Sequence, residues 1–396
     1  MPNRTKSKAT HQAAKPYPDF PLTAHATGRW AKKHRGKRYY FGKLDDWQGA
    51  LERFKREWPY ITEGRTPPLE NADNGCTMQS LCNAFLNSKR IAMEVGDLAA
   101  RTFGDYHMAT DALIAHFGRT RRVDDLQPSD FEKYRAKLAG QRGTVSLKND
   151  INRARVVFKY ASDNRLIDSP VNYGQAFNRP SAKVLRKARN EAGPRMFESA
   201  EIRRILDKAD PTMRAMVLLG CNAGFGNSDL ANIPQSAIDF DSGWIDFPRV
   251  KTAIPRRVPL WPETIEALRV AIAKRPAAAD KIDGDMVFLT AMGNRWVRVK
   301  ENQKTKRPVP IDALSQKFAK LLQSLKINGR SGLGFYTLRH NFQTIGGDAK
   351  DPEAVAAIMG HVDSSMGAVY RERIPDERLK AVTDTVHRWL FDEPVK

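Results

Sequence analysis

Tyr336-Thr337-Leu338-Arg339-His340, then Met359-Gly360-His361, then Tyr370 is the stretch on which the reading of this chain turns. It gathers a guanidinium, an imidazole and a phenol in a short span of sequence. Transfer of a phosphodiester needs a nucleophile, charge stabilisation on the non-bridging oxygens and a proton for the departing oxygen. Tyr370 is the candidate nucleophile, because a phenol can form a covalent phosphoester once adjacent cations or a base help it lose its proton. Arg339 offers a planar fork that fits two phosphate oxygens at once. His361 suits either a hydrogen bond to a phosphate oxygen or removal of the phenolic proton. Upstream, Lys251-Thr252 lies between two predicted strands, where a lysine at a hairpin tip can reach DNA and protonate the leaving 5′ oxygen. Singly, each has a plainer reading: a half-buried tyrosine, a surface arginine, one solvated lysine among many. His340 reads as structural. Order and spacing together give the set its weight.

The charge balance agrees with an anionic partner. There are 66 Lys plus Arg against 45 Asp plus Glu, a formal net charge of +21, spread from end to end. Nucleic acid is the commonest partner for such a chain. Three cysteines, Cys76, Cys82 and Cys221, form no CxxC pair and lie near no histidine at ligand spacing, so neither a disulfide framework nor a metal site is expected. No apolar run reaches the length of a membrane span and Met1 to Lys15 carries no secretory signal, so the expected location is cytoplasmic, with no membrane partner. No GxxxxGK[ST] is present, and Gly224-x-Gly226 lacks the rest of a dinucleotide fingerprint. No cofactor is expected.

At 396 residues the chain has room for two or three domains. Residues 1–27 read as a flexible basic arm. Residues 28–70 read as an N-terminal module, with a basic β-hairpin around Arg35-Gly36-Lys37 and a helix from Asp45 and Asp46 through Trp58. After a linker at Glu63 to Gly75, residues 76–177 read as a helical domain with helices at Met78 to Arg90, Gly104 to Phe117, Pro128 to Leu138 and Val145 to Asn164. A second linker covers 178–194, and the last domain covers 195–396. In it Ser199 is the expected cap of a helix to Leu206, and strands are expected at Trp244 to Phe247, Arg257 to Leu260 and Met286 to Leu289. The fold class is mainly α and multidomain, ending in a mixed α+β domain with a small antiparallel sheet.

In order and spacing these residues resemble the tyrosine recombinases, the integrases of phages and mobile elements. The family shows a Gly-Leu-Arg-x-x-Glu-Leu segment, a hairpin lysine, His-x-Leu-Arg-His, Leu-Gly-His and a nucleophilic tyrosine nine residues on. Lys251, Arg339, His361 and Tyr370 match, and Tyr370 falls nine positions after His361. The resemblance covers most of residues 76–390. It implies a helical (SAM-like) domain that clamps DNA opposite a catalytic domain, and Tyr370 attacking to leave a 3′-phosphotyrosine. It implies Arg339 and His361 stabilising the phosphate, Tyr336 assisting, and Lys251 as general acid. It further implies a homotetramer on double-stranded DNA in the nucleoid, accessory DNA-bending proteins, and an exchange helix at Asp376 to Phe391 that docks on a neighbouring protomer.

Two positions depart from the pattern. Gly226 stands where the family has its first arginine, and Tyr336 where it has a histidine. By analogy with arginine fingers, losing such a cation costs on the order of 10³ to 10⁵ in rate, about 4 to 7 kcal/mol. Arg256, Arg257 and Asn227 are the candidate substitutes. The leading reading is a site-specific recombinase. A catalytically impaired, site-specific DNA-binding regulator of a mobile element is the alternative, with a type IB topoisomerase and an RNA-binding protein behind it.

Overall fold

The computed structural model describes residues 15–63, 75–303, 308–327, 330, 332–362, 367, 370 and 372–392. The chain divides into two compact units, residues 1–85 with 113–132 and 155–176, and residues 86–112 with 133–154 and 177–396. It is mainly helical, with small antiparallel sheets.

The first unit opens with a sheet in the order β1 (Thr23–His25), β2 (Arg29–His34), β3 (Lys37–Lys43). Arg35 and Gly36 both take positive φ in the β2–β3 connection, the turn whose twist suits a two-residue hairpin. Helix α1 (Trp47–Thr62) follows, with the Asp46 carboxylate accepting from the Gly49 N–H at 2.9 Å. Phe20, Leu22, Trp30, Phe41, Ala50, Phe54 and Ile61 form the core of this module. Strand β1 and the buried Phe20 and Leu22 correct the expected arm over 1–27: its last residues pair with β2 and are anchored by apolar side chains in the module's core. Residues 1–14, and most of the expected linker (64–74), lie outside the described residues.

Four long helices, α2 (Met78–Glu94), α3 (Ala100–Phe117), α4 (Pro128–Gln141) and α5 (Thr144–Asp163), occupy the expected positions. In the first unit Phe131 meets Phe117 and Phe158, both with ring centroids 5.4 Å apart. In the second unit a ten-residue helix, α6 (Ala182–Glu191), stands where a linker was expected. Ser181 caps it, accepting from the Val184 N–H at 3.3 Å, and its leucine, lysines, arginines and alanines are strong helix formers.

The rest of the second unit is built around α8 (Pro211–Asn222), buried from Ala215 through Asn222 between α7 (Ser199–Lys208), α10 (Pro262–Ala273) and α12 (Thr337–Gly346). The cap of α7 is Glu198, one residue before the expected Ser199, and its N–H donates to the Glu201 carboxylate at 2.9 Å. After α9 (Asn227–Asn232) comes the sheet β4 (Ile238–Asp239), β5 (Trp244–Asp246), β6 (Arg257–Pro259), with Ile245 opposite Val258. Met286 to Leu289 is no strand. Met286 makes a single bridge to Pro234, and Val287, Phe288 and Leu289 are apolar because they are buried, not because they line a ladder. A hairpin that sequence reading missed, β7 (Val297–Glu301) with β8 (Pro308–Asp312), precedes α11 (Ala313–Ser324).

The C-terminal helix Asp376–Phe391 buries Leu379, Val382, Thr383, Val386 and Leu390. Its apolar residues join the core that contains Ile202, Leu338, Phe342 and Val355. The Trp261 indole N–H donates to the Thr383 carbonyl at 3.1 Å. This corrects the expected exchange helix: the face assigned to a neighbouring protomer is used up inside its own chain. Among the described residues no helix is long and apolar enough to cross a membrane, and no group of three His, Cys, Asp or Glu side chains could hold a metal.

Candidate active site

Helix α13 (Pro352–Met359) ends in a cap that explains the Met-Gly-His sequence. Gly360 lies in the left-handed region at φ +60°. The His361 N–H donates back to the Ala356 carbonyl at 2.9 Å and the Gly360 N–H to Ala357 at 3.0 Å, the pair of bonds of a Schellman motif. A Cβ on Gly360 would fall 2.8 Å from both Arg249 Cβ and Arg256 Cδ. Only glycine fits that backbone in that space. The cap leaves the last carbonyls pointing out of the helix, where they attract cations.

Two guanidinium groups take them. Arg339, in the first turn of α12, is 2 % exposed; its Nη2 donates to the Met359 carbonyl and its Nη1 to the Gly224 carbonyl, each at 2.7 Å. Leu338 and Phe342, both fully buried, fix the helix beneath it. Asn341 locks the same turn: its amide donates to the Phe197 carbonyl at 2.7 Å and accepts the Phe197 N–H at 3.1 Å. The next carbonyl, Gly360, accepts from Arg249 Nη1 at 3.2 Å and from Thr252 Oγ1 at 3.1 Å. Burial first, and then the Arg249 charge, pull Arg339 down to about 10, so it stays protonated at neutral pH.

His361 follows directly on the cap and is half-buried. Burial, then Arg339, then Arg249 hold its imidazole below the ordinary histidine value. A neutral imidazole beside two guanidinium groups can accept a proton or hydrogen-bond an anion. Lys251 is exposed in the turn between β5 and β6, where the Thr252 and Ala253 N–H groups both donate to the Arg249 carbonyl. Tyr370 is 78 % exposed. Among the described residues no hydrogen bond or ring contact ties it to Arg339, His361 or Lys251, so the structure brings together Arg339 and His361 and leaves the phenol at the surface.

At the two departures the structure shows one feature. Gly226, the N-cap position of α9, faces the Tyr336 ring: a Cβ there would lie 3.1 Å from Cε2 and 3.3 Å from Cδ2. The ring also meets His340 edge-on, centroids 5.6 Å apart.

Residues 195–376, which contain all of these groups, match the family model described as the phage integrase family. This domain, residues 195–376, is similar to the phage integrases. Solved integrases share its fold. The Tn1549 transposon integrase in complex with transposon right end DNA is 15 % identical at a TM-score of 0.56, over 79 % of this chain and 100 % of that one. A lambda integrase dimer bound to a COC' core site is 15 % identical at 0.54, over 93 % and 99 %. A lambda integrase tetramer bound to a Holliday junction is 16 % identical at 0.52, over 91 % and 98 %. At such identities the likeness is one of fold. No curated protein matches the sequence.

Within the integrase domain each substitute named for the absent arginine holds partners elsewhere, with the buried Arg256 Nη1 left without one among the described residues. Arg256 is buried, its Nε on the Phe247 carbonyl and its Nη2 on Asp229, both at 3.0 Å, with its plane 4.3 Å over the Phe225 ring. Arg257 pairs with Asp246 and Asp376 and covers Trp244. Asn227 donates to Asp312 and Ser315. Sequence reasoning missed Arg249 and Asn341. Arg249 had one signal, its place two residues before Lys251 in the same β5–β6 connection.

Proposed function

We propose that this chain cuts and rejoins double-stranded DNA at a specific site. In this reading Tyr370 Oη attacks the scissile phosphorus, forming a 3′-phosphotyrosine as the bond to the 5′ oxygen breaks. Lys251 gives that oxygen its proton, and the neutral imidazole of His361 takes the phenolic one. Arg339 stabilises the charge on the non-bridging oxygens, and the Tyr336 hydroxyl, half-exposed beside it, assists. A 5′ hydroxyl from a partner duplex then displaces the tyrosine. The observation that carries the reading is the placement of Arg339 and His361 at one helix cap, Arg339 on the Met359 carbonyl and His361 directly after Gly360. The helices of residues 76–177 would add contacts to the duplex, and a tetramer on two sites, with DNA-bending accessory proteins, would carry the exchange.

The test is incubation with nicked duplexes spanning the ends of the chain's own element. A denaturation-resistant protein–DNA adduct that Tyr370→Phe abolishes is the expected result. Gly226 favours one other reading, a site-specific DNA-binding regulator without strand transfer. Sequence-specific binding with no adduct under any nicked substrate would select it.

A further inference from the structure

The integrase domain lacks a cation at Gly226, and the volume above that glycine is taken by the Tyr336 ring. A phosphate held by Arg339 alone would meet one guanidinium where two are needed. The cation must come from another element, and Arg249 has the properties required. It stands on the hairpin that carries Lys251 and is half-buried. Among the described residues its side chain's one hydrogen bond goes to the Gly360 carbonyl. That carbonyl is one peptide from the Met359 carbonyl that holds Arg339, and consecutive Cα atoms are about 3.8 Å apart. The two guanidinium groups are therefore neighbours, and each is felt electrostatically: Arg249 lowers the proton affinity of Arg339, Arg256 and His361.

Among the described residues no carboxylate forms an ion pair with Arg249 or Arg339. The nearby Asp229 carboxylate is taken by Arg256 and by the Gly226 N–H at 2.9 Å. Two adjacent cations with only carbonyls for partners repel one another until an anion arrives between them. A phosphodiester oxygen is such an anion. We propose that Arg249 supplies the phosphate-stabilising cation that this domain lacks at Gly226, approaching from the hairpin side. This rests on the recombinase reading above.

The experiment measures single-turnover adduct formation on the nicked duplex by the full chain, comparing wild type, Arg249→Ala and Arg249→Lys. Loss of one such donor is expected to slow adduct formation by about 10²-fold or more, with duplex affinity changed far less. Arg249→Lys should recover part of the rate, because it returns the charge without the fork. A duplex with a methylphosphonate at the scissile position separates chemistry from structure. With the charged oxygen replaced by a methyl group, Arg249→Ala should lose little relative to wild type. An unchanged rate in Arg249→Ala on ordinary DNA, or an equal loss on both substrates, overturns the assignment while leaving the recombinase reading intact. A wild type that forms no adduct overturns both.

Discussion

The Tyr336 ring and Gly226 are a matched pair: the ring edge lies 3.1 Å from where a side chain on residue 226 would begin. Two departures that look independent along the sequence are one packing solution in space. Gly226 has φ −96° and ψ 175°, an extended backbone any residue adopts, so what crowds a side chain there is the ring and not the chain conformation.

Gly226→Ala alone therefore forces the ring aside by a few tenths of an ångström. With Tyr336 first changed to Ala the obstacle is gone, and the lower entropy of the unfolded chain should make Gly226→Ala neutral or stabilising, by up to about 1 kcal/mol. A double-mutant cycle from thermal melts should give a coupling of about 0.5 to 3 kcal/mol. Additive effects would show that the ring does not depend on the missing side chain.

Asp229 and Arg256 form the buried charge pair beneath the site, with side-chain exposures of 9 % and 0 %. Asp229→Ala would strand a buried guanidinium and open the Gly226 N–H, and such breaks cost about 3 to 5 kcal/mol. Replacing both, Asp229→Leu with Arg256→Met, removes the stranded charge and should recover much of the loss. Urea unfolding midpoints of the three variants decide the point.

Much of this was legible from residues because the signals are local. The stripes Phe131, Tyr134, Leu138 and Ile151, Ala154, Phe158 mark their helices by spacing alone, and all six side chains are buried. Arg339 and His361 were singled out by the order and spacing of the set they belong to, and the capping role of Gly360 came only with the fold. What was not legible depended on partners distant in sequence. Strand β1 has three residues, too few for an alternation to show. The stripe Leu379, Val382, Val386, Leu390 announces a buried face without saying whose core it enters. Arg249 is one of 66 basic side chains, and only the Gly360 carbonyl, 111 positions away, sets it apart.

His361 should make stability depend on pH in a stated direction. Burial and the two arginines hold its folded titration below the ordinary value, while the unfolded chain titrates near about 6.5. As the pH falls through that value the unfolded chain takes the proton first, so the folded state loses stability until the lower folded midpoint is passed. His340 is lowered in the same sense, by burial and by Arg189, Arg195 and Arg339, and adds to the slope. An NMR titration should place the His361 midpoint below about 6.5 in the wild type, and Arg249→Ala should move it upward. A midpoint that ignores Arg249 would mean that the hairpin arginine is farther from the imidazole than the folded geometry has it.

The C-terminal helix gives the sharpest test of where the chain spends its apolar surface. Leu379 and Leu390 are 3 % and 0 % exposed, and the Leu390 carbonyl accepts from Arg203 Nη1 at 2.5 Å on α7. Glu263 on α10 reaches His387 at 3.1 Å, so the helix is tied at several points to other helices of its own domain. A helix lent to a neighbour would leave its own domain folded when removed; one that completes the core would not. Leu390→Ala should cost about 2 to 5 kcal/mol in the monomer, independent of protein concentration. Truncation after Pro375 should abolish the cooperative thermal transition, because it exposes Leu338, Val355 and Ile202 at once. A truncated chain that melts like the wild type, and loses only its assembly on DNA, would return the helix to an exchange role.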